Sequence, residues 1–139
     1  DVYKRQRITG ALASCGIFSV EMFVSGDDVY FSQVTPRPSR DGLVTFVTQR
    51  INQFDLQAHA TQRLPIDSTL ISPGAVRFLE GHPSQAALAA AMAVEEVTVR
   101  MLGDGTLVLA TADSAAEARQ RTDEAVREIY KVDGKPGEN

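Results

Sequence analysis

Two residues that can bind a metal ion occupy matching places in neighbouring apolar segments. Glu21 lies in the run of residues 17–24, Gln33 lies in the run of residues 29–35, and Gly26-Asp27-Asp28 separates the two. The alternation of apolar and polar residues predicts a β-strand in each run, and the intervening residues predict a turn. Counting outwards from a three-residue turn places Glu21 opposite Gln33, with Cβ atoms about 4.5–5.5 Å apart.

The pairing of a carboxylate with an amide has two interpretations that the residues leave open. Two opposed carboxylates would repel each other, and a shared cation such as Mg²⁺ would normally hold them together. A glutamine opposite a glutamate needs no cation, because its amide can donate a hydrogen bond to the carboxylate. Glu21 and Gln33 are therefore either a solvated cross-strand pair or two ligands of a metal site.

A loop with prolines and arginines follows the second strand directly. Pro36 and Pro38 cannot continue a central strand, so we expect the sheet to end there. The loop also contains Arg37, Ser39 and Arg40. A guanidinium beside a metal site suits the binding of phosphate or carboxylate, and a loop arginine paired with a local acid is the alternative.

Helices and strands that could support this hairpin follow along the chain. Residues 42–49 and 52–63 predict two helices, the second capped by Asn52 and ended by Leu64-Pro65. After Ser72 the pattern predicts a strand, a helix, two strands joined by a tight turn, and a final helix that Ser114 caps. These elements cover residues 75–79, 83–94, 96–102, 107–110 and 114–132.

The order of these elements predicts an α+β fold in two parts. Residues 1–66 would hold the hairpin with its helices, and residues 67–139 would form a small α+β domain. Residues 8–14 are consistent with the last turns of a helix that Gly16 stops. Because the sequence opens with charged residues and no methionine, we expect a piece of a longer protein. Its first strands would then expose an edge and apolar surface, which favours association.

Composition and charge limit the kinds of partner. The 139 residues are 43% hydrophobic and 23% charged, which is typical of a globular domain. A formal net charge of −4 argues against nucleic acid or an anionic membrane as a partner. No stretch approaches the roughly 18 apolar residues of a membrane span, and we expect a cytoplasmic protein. Cys15 is the one cysteine, so an intrachain disulfide is impossible and a position in the core is expected.

The segment GIFSVEMFVSGDDVYFSQVTPRPSRDGLVTFVTQ, residues 16–49, resembles the C-terminal metal-binding hairpin of ATP-grasp ligases. More narrowly, it resembles the formate-dependent phosphoribosylglycinamide formyltransferases and, next to them, the carboxylase ATPase subunits of purine synthesis. The segment QFDLQAHATQRLPI, residues 53–66, resembles the helix and Leu-Pro pair that follow in that family. The resemblance thus implies the C-terminal lobe of an ATP-grasp domain, followed by a small terminal region that fits the family more loosely.

The resemblance implies an enzyme that uses ATP and Mg²⁺ to make an acyl phosphate from formate, which the amine of glycinamide ribonucleotide then attacks. Two glutamates of the family hold the Mg²⁺ ions, and Glu21 and Gln33 stand at their positions as the implied metal ligands. Arg37, Ser39 and Arg40 take the implied substrate-binding positions. A homodimer is the implied assembly. The resemblance also implies that this chain alone is inactive, because it lacks the lysine-bearing lobe that covers ATP in such enzymes.

Three positions depart from the family pattern. Gln33 replaces the second glutamate, Ser39 replaces a histidine, and Arg40 stands where the formyltransferases have an acid suited to the substrate's amine. The segment GDGTLVLAT also lacks the lysine and paired arginines that serve the ribose phosphate in the family. Two alternatives therefore stay open: a degenerate relative with a structural or regulatory role and, more weakly, a ligand-binding module formed by residues 72–132.

Overall fold

The computed structural model describes residue 10 and residues 15–135. The helix end predicted at residues 8–14 lies outside the described residues, apart from Gly10. The chain divides into two compact units: Asp1–Thr45 with Arg50–Thr69, and Phe46–Gln49 with Leu70–Asn139. The predicted α+β class is confirmed by the antiparallel sheets and helices of the described residues. The domain boundary between residues 66 and 67 stays a prediction.

The first unit contains the hairpin and the helix that follows it. Strands β1 and β2 pair antiparallel as a two-stranded sheet. The side chain of Asn52 accepts hydrogen bonds from the backbone amides of Phe54 and Asp55, so the predicted helix cap is confirmed. The elements of this unit are β1 (Ser19–Ser25), β2 (Asp28–Thr35), a 3₁₀ turn (Asp41–Val44) and α2 (Gln53–Thr61). Between the last two lies α1 (Thr45–Thr48), which belongs to the second unit except for Thr45.

The second unit contains a three-stranded antiparallel sheet in the order β3-β5-β4. The predicted order of strand, helix, strand, strand and helix is confirmed, and Ser114 caps the last helix by accepting from the amide of Glu117 at 3.2 Å. The elements are β3 (Gly74–Glu80), α3 (Gln85–Met92), β4 (Val97–Leu102), β5 (Gly105–Thr111) and α4 (Ala115–Asp133).

The core of the second unit forms around its central strand. Leu107, Val108 and Leu109 of β5 have no exposed surface, because neighbouring strands flank both edges and side chains cover both faces. The helices present alanines to the sheet, and such small side chains allow close packing. The main buried cluster consists of Ala87, Ala91, Val97, Val108, Ala110, Ala125 and Ile129.

One expectation about the surface of the described residues is wrong. Cys15 is exposed, so its predicted position in the core is wrong. Among the residues that the structure describes, no helix has the length and apolar character needed to cross a membrane. Four large apolar side chains near the hairpin turn are more than half exposed: Phe23, Val24, Tyr30 and Phe31.

Candidate functional site

The hairpin turn is shorter than the sequence suggested. Ser25 pairs with Asp28, which leaves Gly26 and Asp27 as a two-residue turn. Gly26 has a φ of 59°, a left-handed conformation that glycine adopts without steric cost. The predicted three-residue turn is therefore wrong. Counting from such a turn would also pair Met22 with Ser32, whereas Met22 pairs with Phe31.

A β-bulge nevertheless brings Glu21 opposite Gln33. The register shifts between Glu21 and Met22, since Met22 pairs with Phe31 while Glu21 pairs with Gln33. Ser32 is the extra residue on the second strand. A bulge of this kind re-aims side chains next to it. The predicted pairing of Glu21 with Gln33 is thus confirmed, although a bulge produces it and the turn does not.

The bulge also supplies a hydrogen bond to the carboxylate. The hydroxyl of Ser32 donates to Oε2 of Glu21 at 2.7 Å. The sequence suggested that the amide of Gln33 could make this bond, and the structure gives the role to Ser32. Glu21, Ser32 and Gln33 are all exposed, so the carboxylate is accessible to a ligand from solvent.

Glu21 and Gln33 line an open cleft of about 390 Å³ in the first unit. The cleft also contains Ser39, one of the three residues predicted to bind substrate. Asp41 adds a second carboxylate, which the sequence analysis did not single out. The full lining consists of Ser19, Val20, Glu21, Met22, Gln33, Thr35, Ser39 and Asp41.

The two loop arginines lie outside the lining of this cleft. The guanidinium of Arg37 is exposed and donates a long hydrogen bond of 3.4 Å to the carbonyl oxygen of Pro38. Arg40 is exposed and precedes the 3₁₀ turn. The structure therefore brings Glu21, Gln33 and Ser39 together at one cleft and places Arg37 and Arg40 beside it in the loop.

The donor chemistry of the cleft fits a hard divalent cation. Mg²⁺ is usually bound by one or two carboxylates together with substrate phosphates and water. Glu21 and Asp41 offer carboxylates, and Gln33 offers an amide oxygen. Within the described ranges, no three His, Cys, Asp or Glu side chains converge as a complete metal cage. The residues present suit a cation that shares its coordination with a bound phosphate.

A buried glutamine holds the loop at the edge of the cleft. Gln53 is 3% exposed and begins α2. Its Oε1 accepts from the backbone amide of Ser39 at 3.1 Å, and its Nε2 donates to the carbonyl oxygen of Ser39 at 2.8 Å. The hydroxyl of Ser39 accepts from the amide of Gly42 at 3.3 Å. Sequence reasoning missed Gln53, because a glutamine after a helix cap usually faces solvent.

The helix α2 supports both the loop and the hairpin of the candidate site. Gln57 lies one turn after Gln53, and residues four apart project from the same face of a helix. Its Oε1 accepts from the backbone amide of Ile17 at 2.7 Å, just before β1 begins. The side chains of Gln53 and Gln57 therefore fix the loop and the start of the hairpin to α2.

Comparison with known proteins relates this chain to a protein family. The family model of the ATP-grasp domain matches residues 4–54, so the part of the chain with the hairpin and the loop belongs to an ATP-grasp domain. The chain is 48% identical over 128 residues to the formate-dependent phosphoribosylglycinamide formyltransferase of Corynebacterium efficiens, covering 83% of this chain and 32% of that relative. The corresponding relative in Rhodococcus jostii is 40% identical over 140 residues, covering 91% and 35%.

The chain is homologous to the C-terminal third of the formate-dependent phosphoribosylglycinamide formyltransferases. It therefore spans about a third of the length of the curated relatives it matches. Among solved structures, glycinamide-RNase-transformylase T from Mycobacterium tuberculosis matches 89% of this chain and 38% of its own, with a TM-score of 0.83 and 40% identity. The N5-carboxyaminoimidazole ribonucleotide synthetase of Thermotoga maritima has the same fold, with a TM-score of 0.80, 22% identity and coverage of 88% and 39%.

Proposed function

We propose that this chain is the C-terminal part of an ATP- and Mg²⁺-dependent formyltransferase of purine biosynthesis. The proposed enzyme transfers the γ-phosphoryl group of ATP to formate, which gives formyl phosphate and ADP. The amine of glycinamide ribonucleotide then attacks the formyl carbon, and phosphate leaves as the N-formyl product forms. One observation carries the proposal: Glu21 and Gln33 pair across the bulge and line one cleft, in a chain homologous to formate-dependent formyltransferases.

In this proposal, Glu21 and Gln33 hold Mg²⁺ through a carboxylate and an amide oxygen. When bound, the ion would neutralise phosphate charge and align the phosphoryl transfer. Glu21 is exposed, so its carboxylate is accessible to the ion, and the hydrogen bond from Ser32 orients that carboxylate. Gln33 brings no charge, so the site holds the ion more weakly than a pair of glutamates would.

The loop residues bind the substrates in this proposal. Ser39 faces the cleft, and its backbone is held by Gln53. Arg37 offers an exposed guanidinium that can make bidentate hydrogen bonds to a phosphate or carboxylate. Arg40 adds a second cation beside it, which suits an anionic group better than the amine of the acceptor. The cytoplasm is the compartment in which such an enzyme would act, and a homodimer is its expected assembly.

A segment exchange tests this function directly. The first two thirds of the Corynebacterium efficiens relative would be joined to this chain in place of the matching third. We expect ATP- and formate-dependent formylation of glycinamide ribonucleotide, lost in a Glu21→Gln version of the same hybrid. A hybrid that folds and binds ATP, yet forms no product, would contradict the proposal. Circular dichroism of both versions controls for folding.

The second candidate function is a non-catalytic relative with a structural or regulatory role. The replacement of a family glutamate by Gln33 favours it, because an amide lacks the charge that holds a bridging cation. Gln33→Glu in the hybrid discriminates between the two. A gain in turnover of about tenfold or more would indicate a weakened but active enzyme, whereas an inactive hybrid with either residue would favour the non-catalytic role.

A further inference from the structure

The Ser39–Gly42 segment is attached to α2 at both of its ends, and one residue makes both attachments. At the first end, the side-chain amide of Gln53 bonds to the backbone N–H and C=O of Ser39. At the other end, the backbone amide of Gln53 donates to Oγ1 of Thr45 at 2.9 Å. That hydroxyl in turn donates to the carbonyl oxygen of Gly42 at 2.6 Å.

The packing around Gln53 leaves its side chain little room to move. A Cβ atom at residue 42 would overlap with Oε1 of Gln53, so the turn can approach this closely only because Gly42 has no side chain. Gln53 itself is 3% exposed. A buried amide whose donor and acceptor are both used is costly to displace, since each broken bond would leave a polar group without water.

The segment that Gln53 holds carries two groups of the cleft. Ser39 and Asp41 both line it together with Glu21, and Asp41 is exposed. In the described part of the chain, Asp41 makes no side-chain hydrogen bond or ion pair. Its carboxylate is therefore available to a ligand, and its location depends on the backbone of the turn.

We infer that Gln53 is a positioning residue that holds the Ser39–Gly42 turn so that the carboxylate of Asp41 faces the ligand bound at Glu21. The consequence for metal binding rests on the proposed function. The holding of the turn rests on hydrogen bonds alone, and the two parts are tested by separate measurements.

Amide hydrogen exchange tests the first part in this chain. The Ser39 amide donates to Gln53, so Gln53→Ala should speed its exchange by about threefold to tenfold. Gln57→Ala is the matched control on the same helix face: it should speed exchange at Ile17 and leave Ser39 unchanged. Gln53→Glu keeps an acceptor for the Ser39 amide. In this variant the Ser39 amide should exchange at a rate between those in the wild type and in Gln53→Ala. Unchanged Ser39 exchange in Gln53→Ala, or equal acceleration at both amides in both alanine variants, would overturn the inference.

Mn²⁺ titration tests the second part, the effect of Gln53 on metal binding through Asp41. A residue with a merely structural role would not make the losses from the two substitutions non-additive. Asp41→Asn and Gln53→Ala should each weaken Mn²⁺ binding by about threefold to tenfold. The double variant should bind no more weakly than Asp41→Asn, since Gln53 acts through Asp41. Additive losses would overturn the positioning role. If the wild-type chain binds no Mn²⁺, the metal-binding part of the inference fails; exchange at Ser39 still decides whether Gln53 holds the turn, and product formation by the hybrid decides the proposed function.

Discussion

The hydroxyl of Ser32 lies 2.7 Å from Oε2 of Glu21 and donates a hydrogen bond to it. Ser32 is the residue that the bulge adds to β2, so the same irregularity creates the bond and brings Gln33 opposite Glu21. With a two-residue turn and no bulge, Gln33 would pair with Val20 and its side chain would lie on the other face of the hairpin. The bulge therefore decides which oxygen donors share the cleft.

The close approach of Gly42 to Gln53 makes a prediction about stability. Gly42→Ala would push a methyl group into the side-chain amide that holds Ser39, so the amide must move or its hydrogen bonds must break. We expect a loss of about 1–3 kcal/mol in the free energy of unfolding, measured by urea denaturation. Gly103→Ala is the control, because a Cβ atom there would meet no heavy atom within 4 Å. Equal stability of the two variants would contradict the packing described here.

The pairing of Asp133 with Ser84 predicts a pH dependence in the second unit. The hydroxyl of Ser84 at 2.6 Å, and then its backbone amide at 2.7 Å, donate to this carboxylate and hold the pKa of Asp133 below its ordinary value of 3.8, against a smaller opposing effect of burial. Because the folded-state pKa is depressed, the stabilisation is present above the unfolded-state pKa and is lost as the pH falls through the folded-state value.

Asp133→Asn should therefore lower the melting temperature at pH 7. The difference in melting temperature from the wild type should narrow as the pH falls below about 4, the ordinary pKa of an aspartate, because the unfolded chain then binds the proton before the folded one does. Asp104→Asn removes one charge from an exposed turn and serves as the control. A difference for Asp133→Asn that stays constant from pH 7 to pH 3 would refute the role of the ionised carboxylate.

The exposed apolar side chains of the hairpin predict self-association of this chain. Phe23 is 62% exposed and Phe31 is 53% exposed. We expect the mass measured by light scattering after size-exclusion chromatography to rise with concentration, and to fall towards the monomer in the Phe23→Ser, Phe31→Ser double variant. Met101→Ser changes an equally exposed side chain in the other unit and should leave the association intact. A monomer at every concentration would contradict this expectation.

Local patterns in the sequence were sufficient to predict most of the elements. The cap at Asn52 and the cap at Ser114 both depend on short-range hydrogen bonds, which residue type and spacing reveal. The strands of the second unit were predicted by alternation, although Gly74 and Gly105 extend them beyond the predicted bounds. The bulge at Ser32 was not predictable, because one serine among polar strand residues carries no signal for an extra residue.

Long-range hydrogen bonds account for what the sequence did not reveal at the site. The bonds between Gln53 and Ser39 join residues fourteen apart in sequence. A polar residue at the start of a helix normally faces solvent, so nothing marked Gln53 as buried. Asp41 was overlooked because it follows an arginine in a loop, and only the folded turn places it at the cleft with Glu21.

Glu21 is the proposed ligand of a divalent cation at this hairpin. The most direct test is a titration of the chain with Mn²⁺, followed by electron paramagnetic resonance of the free ion and by competition with Mg²⁺. Glu21→Gln should weaken Mn²⁺ binding by about tenfold or more, and Gln33→Glu should strengthen it, because the charge of the ligands sets the affinity for hard cations. Glu124→Gln, an exposed carboxylate on α4, is the control and should have no effect. Equal Mn²⁺ affinities of the Glu21→Gln variant and the wild type would contradict the role of Glu21 as a metal ligand.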